Sequence, residues 1–385
     1  MAKKEEAVEK LRGELGSELG AEWSRLDLLR WLGDNGFSVP DTARRLRRHL
    51  QMRKAMRLDQ VPADAERCRK FLLYYAGSLP QTTGREGDNL VFTYVLHGKM
   101  DIQGLRKAIM PSRFTTEILF DVERAYQMLR RKEAETGEQW GSMTIFDFED
   151  FSLDASLING AVSDMLKYLK GHYPGVLRKI IAVNAPVLAK AVVGMLKHLA
   201  PKETQIIVLS KRSELLKHVD PGRLPEAFGG RLVENGDPAC PQLIRWPLPG
   251  KVPKAERFQP DADYPALQGL SLNSLSLGPG KVKYLTVEVQ SAGARLHWFI
   301  QFRDNCDYSI GFYRAQTADE TDVNKMVRTG IQSPRYSVTA YPEFGELVAE
   351  EVGFYKIRLA NDTSLVATSK CHYFFDLKQD LPVPV

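Results

Sequence analysis

Between residues 91 and 209, short and almost uninterrupted apolar runs alternate with longer segments of mixed polarity, and this alternation restricts the chain to few folds. The pattern predicts strands over 91–96, 142–148, 177–183 and 205–209, with helices over 116–132, 157–170 and 186–199 between them. Strands separated by helices of this length imply parallel pairing through crossover connections. The runs Thr144-Ile-Phe146 and Ile180-Ile-Ala-Val183 are nearly all apolar, as expected of strands covered on both faces.

The flanks follow different periods. Over residues 1–75, apolar positions such as Leu26, Leu28, Leu29, Trp31 and Leu32 fall on helical turns between charged residues. Gly33-Asp-Asn-Gly36 closes one helix, and Pro40-Asp41 opens another that places Leu46, Leu50 and Met56 along a buried side. Residues 236–280 are rich in Pro, Gly and Asn, including Trp246-Pro-Leu-Pro-Gly250, and predict a long connection. After Lys281 the period is two: Leu285, Val287 and Val289, then Leu296, Trp298, Ile300 and Phe302, then Tyr355, Ile357 and Leu359. Short alternating strands predict an antiparallel sandwich. A chain of 385 residues exceeds one hydrophobic core. The expected division is a helical segment over 1–75, an α/β domain over 76–245, a linker over 246–270 and an all-β domain over 271–380.

Charge and composition narrow the partners. The 53 basic residues against 48 acidic ones leave a net +5, too little for a dedicated polyanion binder, so no nucleic-acid partner is expected. The most basic stretch, Arg44, Arg45, Arg47, Arg48, Arg53 and Lys54, points in several directions on a helix and reads as a solvated surface. Cys68, Cys240, Cys306 and Cys371 are scattered without a CxxC pair, as reduced thiols would be. No run approaches the ~20 apolar residues of a membrane span, and the start lacks the apolar core of a secretory signal. A cytoplasmic protein is expected, with the sequon at Asn361 unused.

Catalytic chemistry finds little support. There is no GxSxG, GxxxxGK[ST], HExxH or GxGxxG arrangement, and the seven histidines stand singly. No catalytic residue, metal ligand or cofactor is assigned. Asp147, Glu149, Asp150 and Asp154 follow a predicted strand, where a divalent cation is one reading. Acidic capping at the start of a helix explains the same residues and is favoured. The segment 184–199 is more informative. Leu188, Ala191, Val192, Met195, Leu196 and Leu199 form one apolar stripe, with Lys190, Lys197 and His198 off it. On its own this is a surface helix packed on a sheet.

Taken together, several motifs change that reading. Met143-Thr-Ile-Phe-Asp147, Tyr173-Pro174, Ile180-Ile-Ala-Val-Asn-Ala-Pro186, Leu215-Leu-Lys217 and Leu224-Pro-Glu-Ala-Phe-Gly-Gly230 resemble the CRAL-TRIO lipid-binding domain. Leu28-Leu-Arg-Trp-Leu32, with Phe37, Ala43 and Arg53, resembles the helical segment preceding that domain. Leu296-x-Trp298, Ile310-Gly-Phe312 and Gly353-x-Tyr355 resemble a GOLD domain. In this order they resemble the supernatant protein factor and tocopherol-associated branch of the family.

The resemblance implies a multi-domain α/β plus all-β protein: an N-terminal helical bundle, a CRAL-TRIO domain with a gate helix, and a C-terminal GOLD β-sandwich. It implies non-enzymatic binding and intermembrane transfer or presentation of a hydrophobic lipid: a phospholipid, sterol precursor, retinoid or tocopherol. The stripe Leu188, Ala191, Val192 and Met195 would line the gate. Burial of a lipid tail contributes about 0.8 kcal/mol per methylene, so an apolar lid retains a ligand in water. Ser142 and Thr144 match two strand positions that contact a choline headgroup in phosphatidylcholine-binding members. Two strand residues with satisfied hydroxyls is the alternative. Phe146, two residues on, faces the same way. The places used by phosphoinositide-binding members hold Asn35, Gly36, Gly175, Lys202 and Gln205, so that code is largely missing. Implied partners are the lipid, a transient membrane surface and a protein bound through the GOLD domain, with peripheral association at Golgi or other membranes. An interaction protein whose GOLD domain recruits a trafficking partner is the competing function.

Overall fold

The computed structural model describes residues 2–150, 166, 168–185, 200–201, 203–302, 307–330, 333–337, 341–361 and 368–377. The chain forms two compact units, residues 1–50, 58–102 and 117–251 in the first and 51–57, 103–116 and 252–385 in the second.

Helices α1 (Ala2–Leu15), α2 (Arg25–Asp34) and α3 (Val39–Met56) open the chain. A capping box starts α2: Ser24 Oγ accepts from the Asp27 amide at 3.1 Å, and Asp27 Oδ2 accepts from the Ser24 amide at 2.9 Å. Gly36 and Phe37 turn the chain out of α2 with φ of 59° and 63°. Leu11, Trp23, Leu28, Trp31, Leu32 and Leu46 pack into one cluster, as the helical spacing predicts. Within the basic run Arg44 pairs with Asp41, Arg45 with Asp34 and Arg47 with Glu18, while Arg53 is buried and not part of a solvated surface.

Next come α4 (Arg69–Tyr74), β1 (Gly77–Ser78), β2 (Gln81–Thr82), β3 (Leu90–Val95), α5 (Ile102–Ala108) and α6 (Pro111–Thr136). They are followed by β4 (Gly141–Asp147), β5 (Leu177–Val183), β6 (Gln205–Leu209) and β7 (Ile244–Arg245). The main sheet runs β2-β3-β4-β5-β6, parallel from β3 to β6 with β2 antiparallel at the edge. One face packs Phe92, Tyr94, Met143, Ile145, Ile181 and Val183 with Leu215 and Phe228. Buried carboxylates of α6 each meet a partner: Glu117 meets Arg67 at 2.7 Å, Glu123 accepts from the Tyr173 hydroxyl at 2.6 Å, and Glu133 pairs with Arg30. Buried charge is tolerated only when paired in this way.

The C-terminal part is antiparallel: β8 (Asn273–Leu277), β9 (Val282–Val289), β10 (Arg295–Phe302), β11 (Asp307–Ala315), β12 (Val327–Arg328), β13 (Ser333–Ser337), β14 (Glu343–Val348), β15 (Gly353–Ala360) and β16 (Ser369–Leu377). One sheet is ordered β14-β10-β16-β8 and the other β12-β11-β15-β9, with β13 against β11. Leu285, Ile300, Phe302, Ile310, Ile357, Leu359 and Cys371, drawn from both sheets, share a core, while Val289, Leu296 and Tyr355, also picked out by the period of two, form a second cluster with Val287 against it. Asn361 is fully buried and donates through Nδ2 to the Leu277 carbonyl at 2.9 Å. The asparagine of the sequon is thus committed inside the fold. Among the described residues no helix is long and apolar enough to cross a membrane.

Candidate functional site

Burial alternates strictly along β4. Met143, Ile145 and Asp147 are buried on the packed face, while Ser142, Thr144 and Phe146 are half-buried on the other. Parallel register extends that second face across the sheet. Thr93 pairs with Thr144 and Val95 with Phe146, then Thr144 with Ile180 and Phe146 with Ala182, and finally Ile180 with Ile206 and Ala182 with Val208. Phe146, Leu166, Leu169, Leu177, Ile180 and Ile206 form an apolar cluster there.

The hydroxyls on this face differ. Ser142 Oγ donates to the Val176 carbonyl at 3.3 Å. Thr144 and its neighbour Thr93 make no side-chain hydrogen bond among the described residues. The His97 ring lies edge-on to Phe146, with centroids 6.3 Å apart, and 5.2 Å from Phe148. Burial pushes its pKa down to about 4, so the imidazole is neutral near pH 7. An apolar strip bearing two spare hydroxyls and a neutral imidazole suits a largely apolar molecule with a polar end. Sequence reasoning missed Thr93 and His97, although the period of two along β3 places Thr93 on the Thr144 face once the register is known. Leu188, Ala191, Val192 and Met195 lie outside the described residues.

At the C-terminal ends of the strands the acidic group is a clamp. Asp147 is buried and accepts from the Tyr94 hydroxyl at 2.6 Å, Arg212 Nε at 2.6 Å, Asn184 Nδ2 at 2.9 Å and the Glu149 amide at 3.0 Å. The Arg212 guanidinium also grips Glu149 at 2.7 and 3.1 Å, and Lys99 reaches Glu149 and Asp150. Burial first, then the Asp147 charge, holds the Tyr94 phenol far above its usual range, so it stays a donor. Burial disfavours the charged form of Arg212, but the Asp147 contacts outweigh it and keep the guanidinium charged. With four donors on Asp147, little acceptor capacity is left for proton transfer or for a cation. Asp154 lies outside the described residues. Asn184 adopts φ 55° at the end of this network.

Two of the phosphoinositide positions, Asn35 and Gly175, are otherwise engaged. Asn35 donates to the Trp31 carbonyl at 2.7 Å and accepts from Arg45 Nη1 at 2.6 Å. Gly175 has φ 65°, with Arg30 packed over it. Gln205 is exposed, and Lys202 lies outside the described residues. A nearby open cleft is lined by Gly33, Asp34, Arg45, Lys170, Gly171, Pro201 and Glu203, a balanced set of charges rather than a cationic cradle.

The domain is thus an open, mostly parallel α/β sheet with one packed face and one half-buried face, on which the Thr93 and Thr144 hydroxyls make no hydrogen bond among the described residues. Residues 83–230 match the CRAL/TRIO domain. The chain is 26% identical to "CRAL-TRIO domain-containing protein F28H7.8" of Caenorhabditis elegans over 386 residues, spanning 94% of this chain and 88% of the relative. It is 25% identical to "Protein ctg-1" of the same organism over 366 residues, spanning 91% of each. Among solved structures it is similar to that titled "Crystal structure of Sfh5", with 14% identity and a TM-score of 0.49 over 62% of this chain and 93% of that one.

Proposed function

We propose that the protein binds a single hydrophobic lipid against the Thr93 and Thr144 face of the sheet and transfers or presents it at membranes. The observation that carries this reading is the half-buried apolar face, whose Thr93 and Thr144 hydroxyls have no partner among the described residues, inside the segment that matches the CRAL/TRIO domain. Phe146 packs against the apolar part of the ligand. Thr144 meets its polar end together with Thr93, and Ser142 contributes through backbone geometry, because its own hydroxyl is spent on Val176. Segment 186–199 closes over the ligand through Leu188, Ala191, Val192 and Met195 as an amphipathic gate. The ligand is a phospholipid, sterol precursor, retinoid or tocopherol, and a choline headgroup suits the neutral hydroxyls better than an inositol phosphate suits the balanced cleft.

The domain division at 75, 245 and 270 belongs to the same proposal. Residues 271–380, with their face-to-face antiparallel sheets, act as a GOLD domain that carries the protein to a Golgi or other membrane partner. The protein works in the cytoplasm and touches membranes only at the periphery.

Native mass spectrometry and lipidomics of the gently purified full-length protein test this reading. One lipid per chain is expected to co-purify or to be taken up from mixed vesicles. Protein that leaves purification empty and extracts nothing from vesicles ends the lipid-carrier reading.

A further inference from the structure

Within the second unit, the start of α6 and the edge strand β14 meet through a buried carboxyl group. Glu343 is 2% exposed. Its Oε2 accepts from the Ser112 amide at 3.0 Å, and its Oε1 lies 2.5 Å from Ser112 Oγ. Ser112 is the second residue of α6, where amides have no partner within the helix. The neighbours named by the register are apolar: the Phe344 amide donates to the Met110 sulfur at 3.4 Å, and Ile300 is the register partner of Glu343. Charged side chains on α5, the start of α6, residues 252–270, β10 and β14 include Arg106, Lys107, Arg113, Arg257, Arg295 and Glu346. None of them forms an ion pair with Glu343 among the described residues. An ionised carboxylate here is buried with two hydrogen-bond donors, the partial positive end of a helix and no paired cation among the described residues. A protonated one keeps both contacts, because its O–H donates to the rotatable Ser112 hydroxyl while its carbonyl accepts from the amide.

We propose that Glu343 and Ser112 form a proton-sensitive joint holding segment 103–116 against the C-terminal sheets, closed when Glu343 is protonated and loosened when it ionises. Burial lifts the Glu343 pKa to about 7 from an ordinary 4.5, and the Ser112 donors offset part of that rise. The opened joint exposes Glu343 to water and restores the ordinary value. Below pH 4.5 both forms are protonated and the joint is at its tightest. Between 4.5 and 7 opening releases a proton, so the opening constant grows about tenfold per pH unit, on the order of 10²-fold in all, and levels off above 7. The proposal does not rest on the lipid reading.

Infrared titration of the full chain, taken as the difference between wild type and Glu343→Gln, tests it. A protonated carboxyl band that disappears with a midpoint near 7 is expected. The melting temperature of the wild type should fall from pH 5 to 8 relative to Glu343→Gln. If Glu343→Gln does not fold, Ser112→Ala keeps the test open: loss of a donor that favours the anion should move the wild-type midpoint upward. A midpoint near 4.5, parallel stability profiles of wild type and Glu343→Gln, or an unmoved midpoint in Ser112→Ala overturns the proposal.

Discussion

The two faces of the parallel sheet are built from the same strands and do opposite jobs. The packed face sets Phe92, Tyr94, Met143, Ile145, Ile181 and Val183 in a continuous core, while the other leaves Thr93, Thr144 and Phe146 half-buried, with two hydroxyls that have no partner among the described residues. A strand alternates its side chains, so neighbouring residues of β4 belong to different environments. The lesson is that stability and ligand affinity are separable along one strand: Ile145 is committed to the fold, whereas Thr144 is left available.

Three substitutions strain that separation. The largest effect is expected on the packed face. Ile145→Ala removes a fully buried side chain and should cost about 2–5 kcal/mol in denaturant titration while sparing ligand identity. A loss under about 1 kcal/mol would show that this face is loosely packed. At the strand end, Asp147→Asn removes a buried charge that holds Arg212, Tyr94 and Asn184. It should cost on the order of 3 kcal/mol, less if Arg212, which is partly exposed, turns to water. Wild-type-like stability would mean that the clamp is ornamental. The smallest stability change belongs to the open face. Thr144→Val is nearly isosteric and loses no hydrogen bond among the described residues, so stability should shift by under about 1 kcal/mol. Binding of a polar-headed lipid from vesicles should weaken by about tenfold, the equivalent of one hydrogen bond of about 1–1.5 kcal/mol. Equal destabilisation by Thr144→Val and Ile145→Ala would erase the distinction between the faces.

Much of the architecture was legible in local pattern. The expected strands 177–183 and 205–209 coincide with β5 and β6, and 142–148 lies one residue from β4. Helix 116–132 is the centre of a longer α6, whose extension to residues 111 and 136 carries no strong break in period. The site was only half legible. Phe146 and Thr144 follow from period two, but Ser142 carries the same pattern and its hydroxyl is already used by Val176, a contact set by the irregular register between β4 and β5. Thr93 became a candidate only when the register put it beside Thr144.

Local sequence by itself determined where strands and helices form and which residues share a face, because both depend on periods of two and 3.6 residues that short segments carry alone. Tertiary structure decided which polar groups are spent and which are free. The Asp147 clamp gathers residues 94, 147, 149, 184 and 212, and the Glu343 joint spans 231 positions to reach Ser112. Hydrogen-bond satisfaction and burial depend on distances of a few ångströms between segments remote in the chain, so no local pattern encodes them.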